Sequence, residues 1–348
     1  MGISAWLFPF SGTQPMAPGT AVMPFLSAVG AMLLVPRRWR TVRLAAAVYA
    51  AGVIFAAAVS SQVGSNVTRF ALLFAGVVFA AALPWSMPRS GARVLLCTAF
   101  LAVTAWQVAN TAGDQVRTAS ATSWDRAELA PLLDQLQRVR AERGRVEVIP
   151  SASHRESSAL AARVHLARGW NRQADVKRNP LFYDGTLTPE SYHTWLERWA
   201  VRLVVLPRKG KLDPAGTEEA GVVEAGQSYL KEIWSDANWR LYEVQKPTPL
   251  AALPAVVKQS TASGMTVAVP GEGSYLLRIH YSPWLAVVGE KGVGLTSGAI
   301  GEGVSRGGCL TSAPRNQTGD VWTYLHAPAA GEYEIGAPYR LPRETPCL

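Results

Sequence analysis

Negative charge is missing from the first third of this chain: no Asp or Glu precedes Asp114, and all 25 acidic residues lie from there onward. Without a carboxylate side chain, that stretch offers neither a general base nor an oxygen cage for a divalent metal. Cysteine is scarce, with Cys97, Cys309 and Cys347 forming no CxxC pair. The five histidines, at 154, 165, 193, 280 and 326, show no metal-ligand spacing. No GxSxG turn occurs, and the run GEKGVGLTSGAIGEGVSRGG fits neither the dinucleotide nor the phosphate-loop pattern. No metal or cofactor is expected, and no catalytic residue is assigned.

Positive charge and long apolar runs fill the acid-free part. Residues 1–113 hold seven arginines (37, 38, 40, 43, 69, 89 and 93), whereas the remainder balances 27 basic against 25 acidic residues. Of the net charge of +9, most therefore lies beside apolar segments, where basic residues set membrane orientation. Nucleic acid is not an expected partner. Four apolar runs, about 20–35, 44–60, 70–85 and 94–108, are each slightly shorter than the roughly 20 residues of a comfortable span. Buried helices of a soluble core are the alternative, but four consecutive acid-free runs rich in alanine and glycine favour spans packed in a bilayer.

Arginine placement gives an orientation. The links PRRWRTVR and SMPRSGAR hold four and two arginines, and the intervening link SQVGSNVTR holds one. The first and third links are then cytoplasmic, and the N-terminus, the middle link and residues 114–348 are extracytoplasmic. No Asp, Glu, Lys, Arg or His interrupts the four interiors, so ion-coupled transport has little support. Arginine outnumbers lysine 27 to 7, and with the alanine bias this indicates a GC-rich bacterial gene. A bacterial plasma membrane, crossed several times, is the expected location. A chain opening with an irregular apolar segment on the outer side reads as the carboxy-terminal part of something longer.

The expected architecture is multi-domain: a helical membrane region over 1–113, an α/β domain over 114–246 and a β-sandwich or jelly-roll-like domain over 247–348. In the second, Pro131 suits the first position of a helix carrying Leu132, Leu133, Leu136 and Val139 and ended by Gly144, and RVEVI alternates as a strand. Ser153 and Glu156 have capping-box spacing at the start of a helix whose apolar face includes Leu160 and Val164 and which ends near Gly169. Thr188-Pro189-Glu190 starts a third helix, whose Tyr192, Trp195, Leu196 and Trp199 form one apolar stripe. VRLVVLP reads as a buried strand, and LKEIW and WRLYEV as a hairpin about SDAN. After Pro247, short alternating segments (MTVAV, SYLLRIHY, WLAVV, VWTYLH, EYEIG) suit a sandwich. In an oxidising exterior Cys309 and Cys347 could close a loop worth roughly 4 kcal/mol in chain entropy; two free thiols are the alternative.

The densest polar cluster is HLARGWNRQADVKRNPLFYDG, residues 165–185. Guanidinium groups among aromatics suit phosphate and sugar recognition. Its candidate ligand-binding residues are Arg168, Trp170, Arg172, Asp175, Asn179, Tyr183 and Asp184, joined by Asn66 and Arg69 of the middle link. A solvated loop tied by internal ion pairs is the competing reading. Asp175 and Asp184 would suit an acid/base pair only if folding placed them together.

VGSNVTRFALLFAG, the block ARGWNRQADVKRNPLFYDGTLTPESYHTWLERWAVRLVVLP and WRLYEV resemble the carboxy-terminal half of large actinobacterial integral membrane proteins. These are similar in architecture to GT-C-type polytopic glycosyltransferases, many helices followed by an outer domain. The likeness covers about residues 60–288 and is most specific over 165–206. It implies handling of polyprenyl-phosphate-linked sugars or cell-wall glycan at the outer membrane face, with an upstream membrane half as partner. GT-C enzymes carry an acidic residue on an early outer loop, and the acid-free region here lacks one, so the chain is not expected to be catalytic alone. The other functional expectation is a membrane-anchored binding or scaffold module of the cell envelope.

Overall fold

The computed structural model describes residues 12–14, 16–85, 91–118, 126–169, 171–292, 307–339 and 347. They form two compact units, one of residues 1–119 with 171–180, the other of 120–170 with 181–348.

The first unit is built on α1 (Pro18–Leu34), α2 (Arg40–Ala58), α3 (Thr68–Ala82) and α4 (Gly91–Thr118), with a 3-10 turn, Gly64–Val67, entering α3. Three stretches, Arg40–Ala58, Gly64–Trp85 and Gly91–Val116, are long and apolar enough to cross a membrane; α1 is apolar but shorter, at 17 residues. The packing is inverted relative to a water-soluble bundle. Leu44, Val48, Phe55, Leu73, Val77 and Leu101 are each more than 60% exposed, while the interior is made largely of alanines around Phe79. Such an apolar exterior is stable only against lipid or another apolar surface. Small residues draw the helices together: a Cβ on Gly30 would lie 3.2 Å from the Phe79 ring. The Gln107 side-chain amide donates from α4 to the Leu72 carbonyl of α3, satisfying a polar group that lipid could not.

The second unit begins with α5 (Arg126–Arg138), β1 (Arg145–Val148), α6 (Arg155–Ala161) and β2 (His165–Leu166). After α7 (Arg172–Arg178), which groups with the first unit, come α8 (Pro189–Arg198), β3 (Val201–Pro207), α9 (Pro214–Glu224), β4 (Leu230–Ser235) and β5 (Trp239–Val244). The sheet order is β2-β1-β3-β5-β4, with β2, β1 and β3 parallel and the β4–β5 hairpin antiparallel. Tyr192, Trp195, Leu196 and Trp199 are all buried, as their spacing predicts.

Local expectations were overridden in three places, one of them the helix expected to carry Val164 and end near Gly169: α6 stops at Ala161, and His165–Leu166 is the strand β2. Pro131 lies inside α5, which starts at Arg126, and the Trp239 indole N–H donates to the Glu128 carbonyl in the helix's first turn (2.9 Å). The Ser153–Glu156 capping box does not form: His154 is the cap residue, at φ 52°, and the buried Glu156 carboxylate accepts from the Ser151 N–H (2.9 Å) and hydroxyl (2.5 Å) instead. A buried carboxylate takes whatever donors end its isolation. At α8 the box does form, with Thr188 and Ser191 as reciprocal partners.

The remaining strands are β6 (Val256–Ser260), β7 (Gly264–Val269), β8 (Gly273–His280), β9 (Ala286–Gly292), β10 (Cys309–Ser312), β11 (Trp322–Ala327) and β12 (Gly331–Gly336). They make two antiparallel sheets, β10-β11-β8 and β6-β7-β12-β9, sharing a core that includes Val267, Leu277, Leu325 and Ile335. Cys309 and Cys347 are disulfide-bonded, with Cα atoms 5.3 Å apart. Arg145 of β1, fully buried, donates to the Trp199 and Arg278 carbonyls (both 2.7 Å), and Arg198 of α8 forms a two-point bond with Asp320 (2.8 and 2.7 Å). Burial lowers the Arg145 pKa to about 9, so it remains charged at neutral pH. These contacts tie the α/β region to the strands that follow.

Candidate functional site

The link between α2 and α3 is organised by amides and hydroxyls. Gln14 N–H donates to the Ser61 carbonyl (2.8 Å), and its side-chain amide donates to the Ser65 hydroxyl (2.9 Å). Gly64 permits this approach: its φ is +40°, and a Cβ there would sit 1.7 Å from the Gln14 carbonyl oxygen. From α7, the Gln173 side-chain amide donates to the Gln14 side-chain oxygen (3.1 Å) and the Gln62 carbonyl (3.4 Å). Thus the SQVGSNVTR link and the segment 171–180 meet within the first unit. Asn66 is exposed in the 3-10 turn, and Arg69 is exposed at the second position of α3.

α7 forms because Asn171 caps it, accepting from Ala174 N–H (3.2 Å). Its buried side holds Asp175 and Asn179, whose side-chain amide donates to the Asp175 carboxylate (2.7 Å). Arg172, Val176, Lys177 and Arg178 are exposed. Elsewhere in the same unit α1, α2 and α3 enclose an apolar groove of about 240 Å³, lined by residues including Ala31, Ala45, Ala46, Tyr49, Phe70 and Phe74. The rings of Tyr49, Phe70 and Phe74 follow one another at 5.0 and 4.9 Å, and the Tyr49 hydroxyl donates to the Val67 carbonyl in the link (2.7 Å). The groove thus reaches the residue next to Arg69.

The 165–185 cluster does not form one surface site. Arg168, in the second unit, is buried: its guanidinium donates twice to Glu147 (2.9 and 2.7 Å) and also to Glu219, and lies 3.6 Å over the Phe182 ring. The Tyr192 hydroxyl donates to the other Glu219 oxygen (2.8 Å), and burial followed by the Glu219 charge pushes its phenol pKa well up. Arg168 is therefore committed to a core network. Tyr183 is half-buried against the neighbouring core. Asp184 is exposed and accepts from the Thr186 hydroxyl (2.6 Å) and N–H (3.0 Å), which hold its carboxyl below the usual range. Asp175 answers Asn179 and Asp184 answers Thr186, so each carboxylate serves its own turn. Trp170 lies outside the described residues.

Sequence reasoning passed over the carboxyl ends of β1 and β3. Because β2 and β3 flank β1 on opposite sides, this is the switch point where open α/β sheets place ligands. Ser151, Ser153, His154, Glu156 and Asp213 gather there. The Ser151 and Ser153 hydroxyls are 3.0 Å apart, and His154 Nε2 is 3.7 Å from an Asp213 oxygen. Burial raises the Glu156 pKa. The two loops are nevertheless laced shut by Ala152 N–H to Lys211 O (2.8 Å) and Asp213 N–H to Pro150 O (3.1 Å), and Asp213 caps α9 through Gly216 N–H (2.5 Å). The signal for α9 was Asp213-Pro214, a cap followed by proline at the first helical position. Among the described residues no three His, Cys, Asp or Glu gather so as to hold a metal. A polar groove of about 510 Å³ on the four-stranded sheet is lined by residues including Gln259, Thr261, Thr266 and Glu334.

Among the described residues, three span-length apolar helices, together with a mixed α/β sheet and antiparallel sheets, fit a multi-pass membrane protein with a large non-membrane part. Residues 252–348 match a family described as a domain of unknown function (DUF8823), a match that takes in all the strands of the last two sheets, β6 to β12. No curated protein and no solved structure matches the chain.

Proposed function

We propose that this is a bacterial plasma-membrane protein with four spans, α1 being the fourth, and with the SQVGSNVTR link and residues 114–348 on the extracytoplasmic face. It serves as the carboxy-terminal part of a GT-C-like system handling lipid-linked sugars, and is not catalytic alone. The observation that supports this reading is the apolar groove between α1, α2 and α3, whose lining includes Phe70, the residue that follows the exposed Arg69: it would take part of a hydrocarbon chain, with the phosphate near Arg69. The buried Arg168 leaves the set of ligand contacts.

The test is binding of a polyprenyl-phosphate-linked hexose by the purified full chain in detergent. Arg69→Ala and Ala45→Phe, which places a ring in the groove, are each expected to weaken binding about tenfold or more. Unchanged affinity in both, with unfolding midpoints intact, would sink the proposal. A second reading, a membrane-anchored scaffold of the cell envelope, is favoured by the polar groove beside Gln259, Thr266 and Glu334, whose hydroxyl, amide and carboxylate groups suit a neutral saccharide. It predicts binding of lipid-free cell-wall glycan, lost in Glu334→Ala and kept in Arg69→Ala.

A further inference from the structure

We propose that α7 is a headgroup clamp, its exposed Arg172, Lys177 and Arg178 binding the anionic phospholipids of the bilayer that the span-length helices occupy. This goes beyond the lipid-linked sugar reading and stands without it. Its basis is position. The link that Gln173 grips joins Arg40–Ala58 to Gly64–Trp85, two helices long and apolar enough to span, so the link lies where a span leaves the membrane. At 1.5 Å per helical residue, Lys177 and Arg178 lie roughly 6–8 Å along α7 from Gln173, within about one Debye length of the surface at physiological salt.

Charge supports the same occupant. The segment 171–180 carries three basic residues and one acid, and that acid, Asp175, is buried with the Asn179 amide on its carboxylate. The link adds exposed Arg69, and residues 1–113 contribute no carboxylate to repel a phosphate. Basic groups held at an interface attract anionic headgroups, and exposed Val176 between them suits shallow contact with the acyl boundary. The grouping of 171–180 with the membrane-type helices, apart from the sequence on either side of it, is what such an anchor requires. An acidic protein or a second copy of this chain would need to displace lipid headgroups from the same surface.

The experiment uses the full chain in nanodiscs of phosphatidylcholine, with or without phosphatidylglycerol, and reads hydrogen exchange of the amides over 171–180. A local readout is needed because Arg37, Arg38, Arg40 and Arg43 form a second basic cluster. Exchange is expected to slow on the order of tenfold when phosphatidylglycerol is present. High salt should abolish that protection, as should the combined Arg172→Gln, Lys177→Gln and Arg178→Gln variant, while Arg172→Lys with Arg178→Lys should retain it. Equal exchange in both nanodiscs would overturn the proposal, as would protection surviving the triple variant or appearing only when a second protein is added. Sugar-lipid binding, read through Arg69→Ala, can fail without touching this result.

Discussion

The two units treat charge in opposite ways. Among the described residues of the four long helices, arginines stand at helix ends and links, and the interior is apolar, rich in alanine around Phe79, with the Gln107 amide reaching a backbone carbonyl; the buried Asp175 of this unit lies on α7, outside those helices. In the second unit, Arg168, Glu147, Glu219 and Arg145 are carried into the interior and held there by hydrogen bonds. The difference accords with the apolar exterior of the span-length helices. A helix in lipid has no water to fall back on, so charge is kept to the ends; an α/β fold in water can bury charge if every member is paired. The consequence for function is that the arginines able to meet a ligand are the peripheral ones, and the most conspicuous arginine of the polar cluster is structural.

Arg168→Ala should produce the largest effect. It leaves Glu147 and Glu219, both fully buried, without their cation, at a cost of about 3–5 kcal/mol, measured as loss of the folded fraction in urea. Adding Glu147→Gln and Glu219→Gln should recover part of that loss. If Arg168→Ala instead unfolds like wild type, the contrast between the units is wrong.

Next in size is a pH effect in the same unit. His165, whose Nδ1 pairs with the Ser260 hydroxyl at 2.6 Å, has its pKa lowered to about 3 by burial and then by Arg145. The unfolded chain therefore binds a proton that the folded chain refuses between pH 3 and roughly 6.5, so stability falls as pH drops through that window. The loss at pH 5 relative to pH 7.5 should be about 2 kcal/mol, and His165→Gln should flatten it. An unchanged slope in that variant would assign the pH dependence elsewhere.

The smallest expected effect lies in the helical unit. Tyr49→Phe removes the hydroxyl bond to the Val67 carbonyl and should cost about 1 kcal/mol, read as a modest fall in thermal midpoint in detergent. A loss as large as that of Arg168→Ala would mean the link depends on polar contacts as heavily as the second unit does.

Much of the fold was legible because periodicity reports burial. The stripe Tyr192, Trp195, Leu196, Trp199 is core, LKEIW and WRLYEV form a hairpin, and the alternating segments after Pro247 form antiparallel strands. Helix ends were less legible: Pro131 carries a start signal, yet the helix begins earlier, where the distant Trp239 bonds its first turn, and the Ser153 signal lost to a competing local bond from Ser151 to the buried Glu156. The candidate site was least legible. Arg168 and Arg172 stand four residues apart in sequence, yet one is fixed in a core network and the other is exposed on a helix of the other unit. Composition identifies arginines among aromatics but does not say which face of the chain they end on.

By itself the sequence determined where acid is absent, hence which segments can be lipid-facing, and where apolar side chains recur with a helix or strand period. These are local properties, fixed by each residue's transfer free energy and backbone preference. Only the tertiary structure decided that Cys309 meets Cys347, that Glu147 and Glu219 converge on Arg168, and that Gln173 reaches back to Gln14 and Gln62. Each of those contacts joins residues far apart in the chain. They form because a buried or interfacial polar group must find a partner, and the nearest partner in space is set by the packing of every other element.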